Sequence, residues 1–176
     1  MSSVRVTPWH EGAEFPAPPE EVLSAMRDRR PNGELIGIDR VLLRSVPLAT
    51  GWNGLLGRVR AEFALELEYR ELVMLRVAVL NRADFEWNVH HPAYLQAGGT
   101  EEKAQALQGR TAISEIFGEK ERALLRLTDQ STTQVDVAPE VIEEVKDLFG
   151  EQQTVEAVAT VAAYNMVSRF LVALAI

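Results

Sequence analysis

The residues with the most chemistry to offer are Glu86, Trp87 and His90, which read E-W-x-x-H, with Glu71 fifteen positions before Glu86. Glu86 and His90 stand at i and i+4, so on one helix they project from the same face. A carboxylate beside an imidazole orients it, selects its tautomer and raises its pKa above about 6.5. Such a pair can give or take a proton near neutral pH. A bland reading stands beside this one: on a helix surface the same pair only adds about 0.2–0.5 kcal/mol of stability. Two glutamates and a histidine could also hold a cation. Neither H-E-x-x-H nor a second Glu-x-x-His occurs, however, and no metal is expected. His91 points about a quarter-turn away from His90 and is expected to pack or face solvent. Trp87 is expected to wall the core or a pocket, where it would be the residue that contacts substrate.

Other chemistries are poorly provided for. The chain has no cysteine, which removes thiolate nucleophiles, disulfides and Cys-based metal sites. There is no G-x-S-x-G elbow, no Rossmann glycine fingerprint and no Walker loop, so no cofactor is expected.

The elements that must position these residues are helical. Glu71–Leu80 is too long for most buried strands and lacks alternation, which predicts a helix. Asn81-Arg82-Ala83-Asp84 interrupts it, with Asp84 as the expected N-cap of a second helix closed by Gly98-Gly99. Pro92 falls inside that helix and is expected to bend it near Asn88. Glu71 and Glu86 each lie near the start of their helices, so direct contact between them needs a non-hairpin crossing.

Before this pair, residues 1–19 hold Pro8, Pro16, Pro18 and Pro19 and read as an extended arm anchored by Trp9 and Phe15, with His10 in solvent. Short helices are expected from Glu20 to the Pro31-Asn32-Gly33 turn and from Ile38 to Pro47. A loop follows at Thr50–Gly54, then a helical stripe of Leu55, Leu56, Val59, Phe63, Ala64 and Leu67. After the pair, helices are predicted from Thr100 and over Lys120–Asp129. Between them Gly109 and Gly118 bracket a segment holding Ile113 and Ile116. A connector is expected at Ser131–Pro139, and Gly150 should separate a helix over Pro139–Phe149 from a long closing one. No strand pattern and no repeat is visible. The expected class is all-α: a compact multi-helix bundle over residues 20–176 as a single domain.

At 176 residues with 47% hydrophobic and 25% charged residues, the chain suits one globular domain. A net charge of −8 argues against binding nucleic acid or anionic membranes. The N-terminus lacks an apolar stretch after a basic start, so no secretory leader is expected, and the absence of cysteine fits the cytoplasm. Ala157–Ile176 is long enough for a bilayer but carries Asn165, Ser168 and Arg169 at its middle, which predicts burial in a protein core or subunit interface.

These residues bear a family resemblance. Glu71-Leu-Val-Met-Leu-Arg-Val-Ala, Glu86-Trp-x-x-His90 and Ala97-Gly-Gly-Thr-Glu-Glu together resemble the carboxymuconolactone decarboxylase and alkylhydroperoxidase-D-like family over about residues 69–107. Tyr164-Asn-Met-Val-Ser-Arg-Phe is similar to the closing helix of longer members with E-W-x-x-H. The resemblance implies an all-α fold, homo-oligomers (dimer, trimer or hexamer) and a small-molecule substrate. The peroxidase branch carries E-x11-C-x2-C-x3-H. In that register its glutamate falls on Glu71, its histidine on His90 and its cysteines on Ala83 and Glu86, so its thiol cycle is impossible here. The decarboxylase branch implies His90 as the acid, Glu86 orienting it and Glu71 shuttling protons to an enolate-like anion left by CO2. A non-catalytic ligand-binding or assembly role is the alternative.

Overall fold

The computed structural model describes residues 4–12, 17–109 and 115–176, and among these all regular structure is helical. Phe15, Pro16 and Ile113 lie outside the described residues. The chain clusters into two compact units, one of Met1–Arg58 with Ala173–Ile176 and one of Val59–Val172.

The first unit contains helix α1 (Glu20–Arg27), a 3-10 turn (Pro31–Gly33), α2 (Gly37–Leu42) and most of α3 (Val46–Ala61). The described part of the arm is tied down at two points. Trp9 is buried and its backbone N–H donates to Arg40 O at 2.8 Å, while Arg5 N–H donates to Leu174 O at 2.9 Å. His10 is exposed. Asp39 is the electrostatic centre of this unit. It is fully buried, accepts two hydrogen bonds at 2.8 Å from Arg30, and accepts the Ile36 N–H at 3.0 Å, which fixes the start of α2.

The expected loop at Thr50–Gly54 is instead part of α3. Pro47 sits in the first helical turn, where a missing N–H is tolerated, rather than ending a helix before it. Ala49, Trp52, Leu56 and Val59 are all buried, a 3-4-3 spacing that buries one face. That stripe outweighs the roughly 1 kcal/mol each of Gly51, Gly54 and Gly57 costs a helix. The break comes later, between Ala61 and α4 (Leu67–Asn81), in the region read as one continuous stripe.

The second unit is built on α4, whose residues Arg70–Ala78 are all buried. Packed against it are α5 (Asp84–Gln96), α6 (Glu101–Leu107) and α7 (Glu119–Thr133), and α8 (Pro139–Leu174) is tied to it by the Asn81–Asn165 hydrogen bond. Leu72, Leu75, Tyr94, Ala104, Leu107, Phe117 and Leu125 form a continuous apolar cluster, with Ile116 packed against it. Arg76 is buried among them. Its guanidinium makes a two-point contact with Asp129 at 2.6 and 2.9 Å and donates to Leu107 O and Gly109 O, so no charge is left uncompensated.

Two details differ from expectation, the start of α5 and the end of α7. Arg82, with φ of 56°, ends α4 in the left-handed region, so Ala83 is the N-cap of α5 and Asp84 its first residue. The helix α5 runs through Pro92 unbroken; Pro92 and Asn88 are exposed, so water can serve the carbonyl that loses its partner. On α7, Ser131–Thr133 are helical rather than connector, and Thr132 accepts from Asn165 Nδ2 at 2.9 Å. Gly150 (φ 79°) breaks α8 as its position suggested. Helix α8 is long and apolar enough to cross a membrane by length and composition. Its Asn165 is nevertheless buried against protein, bonded to Asn81, Thr132 and Val161 O.

Two glycines separate packing from propensity. A Cβ on Gly99 would lie 2.3 Å from Cζ of the fully buried Tyr94, whereas one on Gly51 meets nothing within 4 Å. Gly99→Ala should therefore destabilise by about 1–3 kcal/mol. Gly51→Ala, in a helix interior, should stabilise by about 0.4–1 kcal/mol. Calorimetric Tm values moving in the same direction would contradict this.

Candidate active site

The second unit brings Glu71, Glu86 and His90 together. Glu71 comes from the first turns of α4, and Glu86 and His90 from one face of α5. His90 is 5% exposed, Glu71 5% and Glu86 3%, so this is no surface pair. Nδ1 of His90 lies 2.7 Å from Glu71 Oε2 and Nε2 lies 3.3 Å from Glu86 Oε2. The imidazole bridges the two acids, so a hairpin suffices and the glutamates need not meet. The Glu86 contact has ion-pair distance without hydrogen-bond alignment, which leaves Glu86 Oε2 buried and without a hydrogen-bond partner.

With a carboxylate near each ring nitrogen, the charged form of His90 is favoured: Nδ1 donates to Glu71, and the ring pairs with Glu86 by charge and proximity on the Nε2 side. Burial is the largest single influence on its pKa and lowers it. The contacts with Glu71 and Glu86 together outweigh burial, and the pKa is raised above the ordinary value.

Two residues not foreseen from the sequence complete the cluster. Tyr164 of α8 is fully buried, and its ring stands edge-on to His90 with centroids 5.0 Å apart. Arg60, in the last turn of α3, is half-buried and donates from Nε to Tyr164 Oη at 2.9 Å. Burial pushes the Tyr164 phenol up; the Arg60 charge opposes this and the two glutamates add to it, so the hydroxyl stays protonated at neutral pH. Arg60 and Tyr164 are 104 positions apart. No local spacing could have joined them, and the similarity of the closing helix assigned Tyr164 no role.

Trp87 has a different place. Its indole packs against the apolar cluster, stacks on His91 at 5.5 Å, and lines a cavity of about 300 Å³ with Ala78, Val79, Arg82, Ala83, Asp84 and Gln108. His91 bonds to Glu101 at 2.9 Å. Among the described residues no group of three or more His, Cys, Asp or Glu is arranged to hold a metal ion.

The all-helical fold is shared with solved structures. An uncharacterized peroxidase-related protein from Silicibacter sp. TM1040 superposes with a TM-score of 0.80 at 14% identity, covering 100% of this chain and 94% of that one. A protein of unknown function from Agrobacterium tumefaciens, described as a candidate antioxidant defence protein AhpD, gives 0.70 at 21% identity over 80% and 94%. The debrominase Bmp8 bound to 2,3,4-tribromopyrrole gives 0.71 at 18% identity over 89% and 82%. At these identities the likeness is one of fold. No curated protein matches the chain. Residues 47–130 match the model of the carboxymuconolactone decarboxylase family.

The raised His90 pKa has a signed consequence for stability. A histidine that binds its proton more tightly when folded contributes stability that is full below its unfolded pKa of about 6.5 and is lost as pH rises through the folded value. Urea midpoints should therefore fall across that window in the native protein, and the step should vanish in His90→Gln. An NMR titration placing His90 below the ordinary histidine value would refute the assignment.

Proposed function

We propose that this protein is a carboxymuconolactone-decarboxylase-like enzyme. It performs cofactor-free acid–base chemistry of lyase or decarboxylase type on a small carboxylated or lactone substrate. The observation that carries this reading is the buried His90 ring held between Glu71 and Glu86, whose contacts raise its proton affinity. When a carboxylate leaves as CO2, the electron pair of the broken C–C bond passes into the adjacent carbonyl as an enolate. That anion must be stabilised and then protonated at carbon. His90 is the proton donor. Glu71, with the shorter contact, fixes the ring and supports its charge, and Glu86 lies on the Nε2 side with an unused lone pair. With no cysteine in the chain, a peroxidase cycle through sulfenate and disulfide has no atoms to run on.

The test is turnover of carboxymuconolactone and related β-keto acids and lactones, followed by CO2 release. His90→Gln should lower kcat by about 10²–10⁴-fold with the fold intact. The kcat/KM of the native protein should fall on the alkaline side, above the ordinary histidine pKa, as the donor loses its proton. Unchanged turnover in His90→Gln would overturn the mechanism. No turnover on any substrate would favour the ligand-binding reading, in which His90 substitutions change affinity alone.

Self-association is part of the same proposal. Val155, Val158, Ala162, Met166 and Val172 are exposed along one face of α8, a stripe interrupted by Arg169. A second copy of the chain, presenting the same stripe, would cover it. Light scattering should give a mass above 19.6 kDa, reduced by Met166→Glu. A native monomer at micromolar concentration would contradict this.

A further inference from the structure

Two buried groups beside His90 have hydrogen-bonding capacity that the protein does not use. Glu86 Oε2 has no hydrogen-bond partner, although Glu86 is only 3% exposed. Tyr164 Oη, on a side chain that is fully buried, accepts from Arg60 Nε, and among the described residues its own proton is given to no acceptor. An orphaned buried carboxylate oxygen is costly, and native proteins keep such groups where a ligand or reaction uses them. One group accepts and the other donates, and both lie against the same imidazole: Glu86 Oε2 at 3.3 Å from Nε2, the Tyr164 ring edge-on at 5.0 Å.

We infer that Tyr164 is a catalytic residue that donates its hydroxyl proton in a hydrogen bond to a carbonyl or carboxylate oxygen of the substrate, that Arg60 is the residue that positions it, and that Glu86 receives a donor group adjacent to that oxygen. The ligand class is a small acid or carbonyl compound with a hydroxyl or an acidic C–H next to its carbonyl carbon. Arg60 acts through the tyrosine. Its Nε occupies a lone pair of Oη and so turns the O–H away from the guanidinium. The cation also strengthens the phenol as a donor to an oxygen that gains negative charge. The hydrogen bond moves no electrons and breaks no bond; proton transfer to carbon remains with His90.

This inference rests on the cluster being an acid–base site, but its test does not need turnover. Salicylate carries a hydroxyl donor beside a carboxylate acceptor, benzoate lacks the donor and phenol lacks the carboxylate. Binding of each to the full-length protein can be followed by NMR through the His90 imidazole. Salicylate should bind more tightly than benzoate or phenol. Tyr164→Phe, which deletes one oxygen, should weaken salicylate by about tenfold to a hundredfold. The His90 titration should stay above the ordinary value, which shows that the fold and the Glu71–His90–Glu86 bridge survive. Arg60→Met should lose the preference for salicylate over phenol, and its effect should not add to that of Tyr164→Phe if the two act as a unit. Equal salicylate affinity in Tyr164→Phe, or no saturable binding of any of the three probes, overturns the inference. Additive losses overturn the role of Arg60. If decarboxylation fails while these dependences hold, the proposed reaction falls and the binding site stands.

Discussion

The structure turns on one electrostatic requirement: two carboxylates buried against each other's neighbourhood must be neutralised without water. Isolated buried charges cost several kcal/mol each, and a pair is tolerated only with close partners of opposite sign. Glu71 and Glu86 meet that requirement by sharing one imidazolium, with the Arg60 guanidinium behind Tyr164 as a second positive charge. Two negative and two positive groups sum to zero. The raised proton affinity of His90 is the same fact seen from the ring. The arrangement is therefore both a structural necessity of the α4–α5 pair and the source of its chemistry.

Much of this was legible in the chain because it is local. The i,i+4 spacing places Glu86 and His90 on one face whatever surrounds them, and the apolar run before them demands a buried helix. The breaks at Gly98-Gly99 and Gly150 follow from residues that favour the left-handed region, where both Gly98 and Gly150 lie. The family resemblance added the register of Glu71, which no helical spacing supplies. What stayed hidden was long-range. Two glycines argued for a loop at residues 50–54, and only the tertiary burial of Ala49, Trp52 and Leu56 makes that stretch helical. Arg60 has no motif around it in the sequence. Its importance depends on a tyrosine more than a hundred positions away.

Trp87 shows the limit of motif reading. It sits inside E-W-x-x-H, yet one residue along a helix is a rotation of about 100°, enough to carry a side chain to another face. Its indole stacks on His91 and packs on the apolar cluster of α4, α6 and α7. Adjacent letters in the motif thus serve different purposes: Glu86 and His90 the charge cluster, Trp87 the packing between helices.

Arg70 has a consequence for how errors propagate. Its guanidinium donates to the carbonyls of Val59 and Arg60, taking up oxygens that the end of α3 would otherwise leave unpaired. Arg70 is also the immediate neighbour of Glu71. One turn of α4 thus clamps the strip of backbone that carries Arg60 while presenting the acid that holds His90. The phase of two helices is locked by a single side chain, as a key sets two gears on one shaft. A slip of one residue in α4 would rotate Glu71 away from the imidazole and release the end of α3 together. The site fails as a whole rather than residue by residue.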